Sequence, residues 1–244
     1  MPSDQRDTLF NTDNPDLIDF EFNEQVAQVF PDMITRSVPG YRALITHLGV
    51  IARHYAQADS HCYDLGCSLG AVTLSLRQHI QADNCRIIGV DNSAAMIERC
   101  KLHIAADESN IPVTLRCEDI LDTEIENTSI VVMNFTLQFI APDSRDHLLK
   151  KIYQGMRPGG VLVLSEKISA NTDVENDPLY LLHDEFKRAN GYSEMEISQK
   201  RAALENVLIP ESATTHQARL SSAGFTNVTQ WFQCFNFVSL LAIK

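Results

Sequence analysis

Glycines 66 and 70 bracket a turn in the stretch Tyr63-Asp64-Leu65-Gly66-Cys67-Ser68-Leu69-Gly70. A strand running to Leu65 and a helix-forming apolar run from Ala71 put that turn where backbone amides can approach a ligand. Glycine supplies the positive φ such a turn needs. Asp64, just inside the strand end, is placed to reach a polar group lying over the turn. Asp91 closes the next apolar run about twenty residues further on, the place from which a carboxylate accepts both hydroxyls of a ribose. Asp119-Ile120 closes a third run, where an acid beside an apolar side chain could read an adenine edge, and Asn134 closes a fourth. Each has a plain structural use too: Asp91 and Asp119 suit helix N-caps and Asn134 suits a turn. Four such residues at successive strand ends, in order, point to one ligand-binding edge.

The elements that must position them alternate. Cys62–Leu65, Arg86–Val90, Val113–Cys117, Ser129–Met133 and Val161–Glu166 read as buried strands. Helices are expected over Val72–Ile80, from Ser93 through Ile104, and from about Ser144 to Gly155, the last closed by Arg157-Pro158-Gly159-Gly160. That order gives an α/β fold with a parallel sheet and helices on both faces. Ahead of it, Val26, Val29, Phe30 and Ile34 suggest a short helix resumed after Pro31. Leu44, Ile45, Leu48, Ile51 and Ala52 suggest a longer one over Tyr41–Tyr55. Together they form an N-terminal helical cap against the glycine turn. After Lys167 the pattern becomes helical and charged, and 177–208 reads as a lid inserted after the fifth strand. Thr215–Ala223 is a helix stopped by Gly224, and Val228–Cys234 with Phe237–Ile243 form two closing strands. Residues 1–22, with the turn-rich Asn11-Thr12-Asp13-Asn14-Pro15-Asp16, read as a flexible segment before a single domain over 23–244.

Composition limits the function classes. The chain has 244 residues, 44% hydrophobic and 21% charged, enough for a real core. A net charge of -12 suits solubility and argues against a stable grip on nucleic acid. Six cysteines without a C-x-x-C pair, and eight histidines without metal spacing, point to reduced buried thiols and no metal. Met1–Asp7 is polar and lacks a signal-type core, and no run of about eighteen apolar residues could span a membrane. The expected compartment is the cytoplasm.

Among nucleotide cofactors, the turn favours S-adenosylmethionine over NAD. It lacks the full G-x-G-x-x-G because Ser68 takes the middle place, and a strand hairpin closes the sheet. The chain thereby resembles the class I S-adenosylmethionine-dependent methyltransferases, whose Rossmann-like sheet is mostly parallel and seven-stranded. Within that superfamily, the resemblance is to the carboxy-S-adenosyl-L-methionine synthases. It rests on Phe30-Pro31-Asp32-Met33-Ile34, Arg36-Ser37-Val38-Pro39-Gly40-Tyr41, Tyr63 through Gly70, Asp91-Asn92-Ser93, Asn134-Phe135-Thr136-Leu137-Gln138-Phe139, Phe186 through Ser193, Ser198-Gln199-Lys200-Arg201 and Trp231 through Phe237.

The resemblance implies a transferase that converts S-adenosylmethionine and prephenate into carboxy-S-adenosylmethionine and phenylpyruvate. It also implies a homodimer, and a separate tRNA uridine carboxymethyltransferase that uses the product to make 5-oxyacetyluridine at the wobble position. By the same resemblance Tyr41, Gly66, Cys67, Ser68, Asp91, Asn92, Asp119, Ile120 and Asn134 contact the nucleoside and amino-acid parts. Arg201 is the catalytic candidate and pairs with the new carboxylate. An arginine near the methyl would repel a sulfonium cation, yet it becomes a strong charge-assisted partner once the group on sulfur ends in a carboxylate. Read without the resemblance, Arg201 is a solvated charge on a lid helix, as its neighbour Lys200 is. His183 reads as a surface or capping histidine. Trp231, Phe232, Phe235 and Phe237 alternate at strand spacing, as core or subunit interface. Two other functions fit the residues: a conventional methyltransferase whose Arg201 grips a small acid, and a non-catalytic carrier of the modified cofactor.

Overall fold

Residues on strands β1 (His61–Leu65), β2 (Arg86–Asp91), β4 (Thr128–Asn134) and β5 (Met156–Lys167) are apolar on both faces. A strand of that kind must be covered by helices on each side. The computed structural model describes residues 6–10, 20–169 and 177–244. It joins these four with β3 (Val113–Cys117), β6 (Thr226–Cys234) and β7 (Phe237–Ile243) into one seven-stranded sheet of order β3-β2-β1-β4-β5-β7-β6. The first five strands run parallel, and β7 pairs antiparallel with both β5 and β6. Strand order reverses between β1 and β4, the switch point at which such sheets bind ligands beyond their carboxyl ends.

Alternation along β4 and β5 splits the core in two. Val131, Met133, Leu162 and Leu164 face α5 (Pro142–Gly155) and α8 (Ala213–Ala223), which add Leu148, Leu149, Ile152 and Leu220. Ile130, Val132, Val161 and Val163 face α2 (Tyr41–Tyr55) and α3 (Ala71–His79), with Leu48 and Leu76. A third cluster ties α1 (Glu24–Ser37) to Leu69 of the glycine turn, Met96 of α4 (Ala94–Ala106) and Ala203 of α7 (Glu194–Leu204). The expected N-terminal cap is therefore in place.

Two expectations need correction, on Pro31 and on residues 6–10. Pro31 does not divide α1, because one buried face, carrying Val26, Val29, Met33 and Arg36, continues past it. The 177–208 insertion is helical as expected and consists of two helices, α6 (Pro178–Ala189) and α7, parted at Gly191, whose φ is +82°. Asp177 caps the first, and a Ser193–Glu196 capping box starts the second. Residues Arg6–Phe10, read as loose, are held down: Asp7 and Phe10 are buried. The 11–16 turn patch lies outside the described residues. Among those described, no helix is long and apolar enough to cross a membrane.

Candidate active site

The glycine turn fits where expected because three successive backbone demands are met. Gly66 and Gly70 have φ of +81° and +87°, and Ser68 between them takes +48°. A Cβ on Gly66 would stand 2.3 Å from Thr136 Oγ1, so the turn after β1 can abut the loop after β4 only as glycine. Beside it Phe135 is also left-handed at φ +62°, a conformation a phenylalanine adopts only when its surroundings impose it. The turn and that loop line a cavity of about 1450 Å³ at the switch point. A single drug-sized ligand fills roughly 300–1,000 Å³, so there is room for two small molecules.

All ten residues that the family resemblance assigns to the site, from Tyr41 to Arg201, line this cavity. Asp91 accepts backbone N–H bonds from Ser68 (2.8 Å) and Ser93 (2.9 Å), which locks the acid across the turn. Burial nonetheless holds its pKa above the ordinary carboxylate range. Ser93 caps α4, so Asp91 itself is no helix cap. Asp119 accepts from the Leu121 backbone at 2.8 Å, and Ile120 is buried in the core beneath it. Among the described residues Asn134 Oδ1 is buried without a partner, an acceptor waiting for a donor. The Cys67 thiol is buried, and contact with Cys100 followed by burial raises its pKa, so the sulfur stays a protonated thiol. Burial, then Asp64, raises the Tyr41 pKa, which keeps that hydroxyl a neutral donor.

Asp64 behaves otherwise than expected. It is not among the cavity-lining residues: it is wholly buried inside β1, where Oδ2 accepts the Thr73 hydroxyl at 2.6 Å. Burial pushes its pKa up to about 7.

Helices α6 and α7 form the opposite wall. Arg201 contributes there with its side chain 55% exposed and ion-paired to Asp184. The guanidinium end of this pair reaches solvent, while Asp184 is 15% exposed and also holds Lys187, so Arg201 is the partner freer to move. Lys200 is not the solvated charge it reads as. It is buried, donates to Ser37 Oγ at 2.8 Å, and lies 3.7 Å from Asp7. Burial lowers its pKa to about 8 while Asp7 opposes the fall. His183 is likewise buried, with Nε2 against the Ser37 carbonyl at 2.8 Å and its ring edge-on to Phe237. Burial, then Lys187 and Lys167, lower its pKa to about 3, so it is a neutral imidazole of the cavity wall. Phe237 packs on Phe135 as well, at 5.6 Å, so that member of the aromatic run belongs to the site.

Lys167, Lys187 and Tyr180, none of them among the expected site residues, also line the cavity. Lys167 carried a signal, since it ends the fifth strand just as Asp91 and Asn134 end theirs, and Lys187 lies in the Phe186–Ser193 stretch of the family resemblance.

This sheet order, glycine turn and row of strand-end acids define a class I S-adenosylmethionine-dependent methyltransferase fold. A methyltransferase domain family matches residues 63–160. Human N-acetylserotonin methyltransferase, solved with S-adenosylmethionine, superposes with a TM-score of 0.61 at 17% identity over 91% of this chain and 55% of its own. Sequence relatives narrow the class. A carboxy-S-adenosyl-L-methionine synthase of Marinobacter nauticus is 58% identical over 100% of this chain and 97% of its own. That of Vibrio parahaemolyticus is 55% identical over 100% and 99%. The chain belongs to the carboxy-S-adenosyl-L-methionine synthase family.

Proposed function

We propose that this protein converts S-adenosylmethionine and prephenate into carboxy-S-adenosylmethionine and phenylpyruvate. The observation that carries this reading is the cationic wall: Arg201, Lys187 and Lys167 line the same cavity as the glycine turn. Such a wall would oppose a sulfonium methyl alone and suits a substrate that brings carboxylates to it.

In this reading Gly66, Cys67 and Ser68 offer their backbone to the S-adenosylmethionine. Asp91 and Asn92 take the ribose, Asp119 and Ile120 the adenine, and Tyr41 and Asn134 the amino-acid end. S-adenosylmethionine supplies the methyl carbon that is carboxylated, and prephenate supplies the carboxyl group and the drive of becoming aromatic. Arg201 holds the carboxylate that is to be transferred and then retains it on the product. No side chain need act as a nucleophile; the protein orients the two partners and excludes water. Residues 23–244 act as one domain whose 177–208 segment closes over the pair. The protein works in the cytoplasm as a homodimer, without gripping nucleic acid itself. Its product is passed to a separate enzyme that carboxymethylates wobble uridine in tRNA.

Mass spectrometry of the ligand released from purified protein, followed by turnover with prephenate, tests this. Carboxy-S-adenosylmethionine formed only when both substrates are present is the expected result. Methyl transfer to a small acid would replace the reading with a conventional methyltransferase. A bound carboxylated cofactor without turnover would replace it with a carrier.

A further inference from the structure

The charges around Asp184 do not balance. Its Oδ1 lies 2.7 Å from Lys187 Nζ, and Oδ2 pairs with Arg201. Lys167, the third cation of this wall, receives neither oxygen. Among the described residues it has no carboxylate partner, and its ammonium sits 4.8 Å above the Tyr180 ring. His183 adds no charge, being neutral. Of the three cations, two are held by Asp184, and Lys167 is the one left for the carboxylate of an anionic ligand. A cation held in low dielectric without a counterion is costly unless a ligand supplies one. Burial, and then repulsion by Lys187, lower the Lys167 pKa to about 8, with the more distant Asp184 opposing the fall. Between this corner and the glycine turn the wall is aromatic, with Phe135, Phe237 and Tyr180. The charged corner and the apolar stretch therefore suit an anion that carries a six-membered ring.

We infer that Lys167, at the carboxyl end of β5 with its ammonium over the Tyr180 ring, is the binding residue for the carboxylate that the second substrate keeps. Arg201 takes the carboxylate that leaves. This rests on the proposed function for the identity of that substrate, prephenate, but not for the anion subsite itself. Phenylpyruvate retains only the pyruvyl carboxylate, so it reports on the Lys167 subsite alone.

The experiment measures phenylpyruvate binding to S-adenosylmethionine-loaded protein by calorimetry, and the KM for prephenate, in wild type, Lys167→Met, Lys167→Arg and Arg201→Ala. Thermal midpoints verify that each variant is folded. Lys167→Met should weaken phenylpyruvate binding and raise the prephenate KM about tenfold or more, the loss of a charge-assisted contact. S-adenosylmethionine affinity should stay within about twofold, Lys167→Arg should recover most of the loss, and Arg201→Ala should bind phenylpyruvate nearly as wild type does. Wild-type phenylpyruvate affinity in Lys167→Met overturns the inference, as does wild-type protein that binds no phenylpyruvate. Equal loss of S-adenosylmethionine and phenylpyruvate in Lys167→Met also overturns it. If wild type makes no carboxylated product yet binds phenylpyruvate through Lys167, the subsite stands and the proposed reaction falls.

Discussion

Asp7 links the start of the chain to the wall of the active site, and its removal should loosen that wall without melting the sheet. Its Oδ2 accepts the Tyr192 hydroxyl at 2.6 Å and faces Lys200 Nζ at 3.7 Å. Its backbone N–H donates to Asp32 at 2.8 Å, and its carbonyl accepts from Arg36 at 3.3 Å. Asp7→Asn keeps the shape and the backbone bonds but removes the charge opposite a buried ammonium. A charge-assisted hydrogen bond is worth about 1.5–3 kcal/mol, and a buried ion left without its partner costs about 3–5 kcal/mol. The pair here is separated by more than a direct hydrogen bond, so a loss of about 2–4 kcal/mol is expected. The contacts all join the Arg6–Phe10 strap, α1 and the α6–α7 unit, so the loss should appear as local opening. Hydrogen exchange in Glu194–Leu204 should accelerate, while amides of β4 and β5 keep their protection. Lys200→Met removes the stranded charge, and the double variant should therefore lose less than the two single variants added together. Unchanged exchange in α7 after Asp7→Asn, or strict additivity of the pair, would refute this account.

Arg201→Ala should abolish carboxylation while S-adenosylmethionine binding changes little; parallel loss of both in a binding and turnover assay would remove its assigned role. Gly66→Ala places a methyl on a φ of +81° and against Thr136 Oγ1. The left-handed strain alone is about 1–2 kcal/mol, and cofactor affinity measured by calorimetry should fall tenfold or more. Asp64 and Glu166 have folded pKa values raised by burial from 3.8 to about 7 and from 4.5 to about 8. The folded state therefore holds protons that the unfolded chain releases, so these two acids reduce stability as pH rises from about 4 to 8. Thermal midpoints of Asp64→Asn should decline less over that span than those of wild type, and identical slopes would contradict the assignment.

Much of this architecture was legible because the sheet is built from runs that can be nothing else. Ile130–Met133 and Val161–Leu164 are too short and too apolar for surface helices, and the strands they build close at the polar residues Asn134 and Lys167. The strand-end rule also located Asp91, Asp119 and Asn134 at the cavity. It misplaced Asp64 because a strand residue facing inward and one facing the ligand look alike until the pleat is fixed. Lys200 and His183 were misread for a different reason. Both sit in charged helices, and what covers them lies far away in sequence: Ser37 and Asp7 for Lys200, Ser37 and Phe237 for His183. Tyr192 lies 185 positions from the Asp7 carboxylate that accepts its hydroxyl. Local patterns hold no trace of such a partner. Pro31 shows the same limit in reverse, since a local helix breaker was overruled by the burial of the face on either side.

The antiparallel insertion of β7 has a consequence for how the molecule is made. Strand β5 is synthesised some seventy residues before the strand that covers its outer edge, and Val161, Val163 and Leu164 on it are all buried in the finished sheet. Until Phe237–Ile243 emerges from the ribosome, the nascent chain exposes an unpaired, apolar strand edge, the kind of surface that recruits other strands. Strand β6 cannot shield it, because β6 pairs with β7 alone. A ribosome stalled or a message cut short just before Phe237 would therefore release a chain with a nearly complete half-sheet and an open edge. Such a product is expected to aggregate rather than persist as a partly active enzyme.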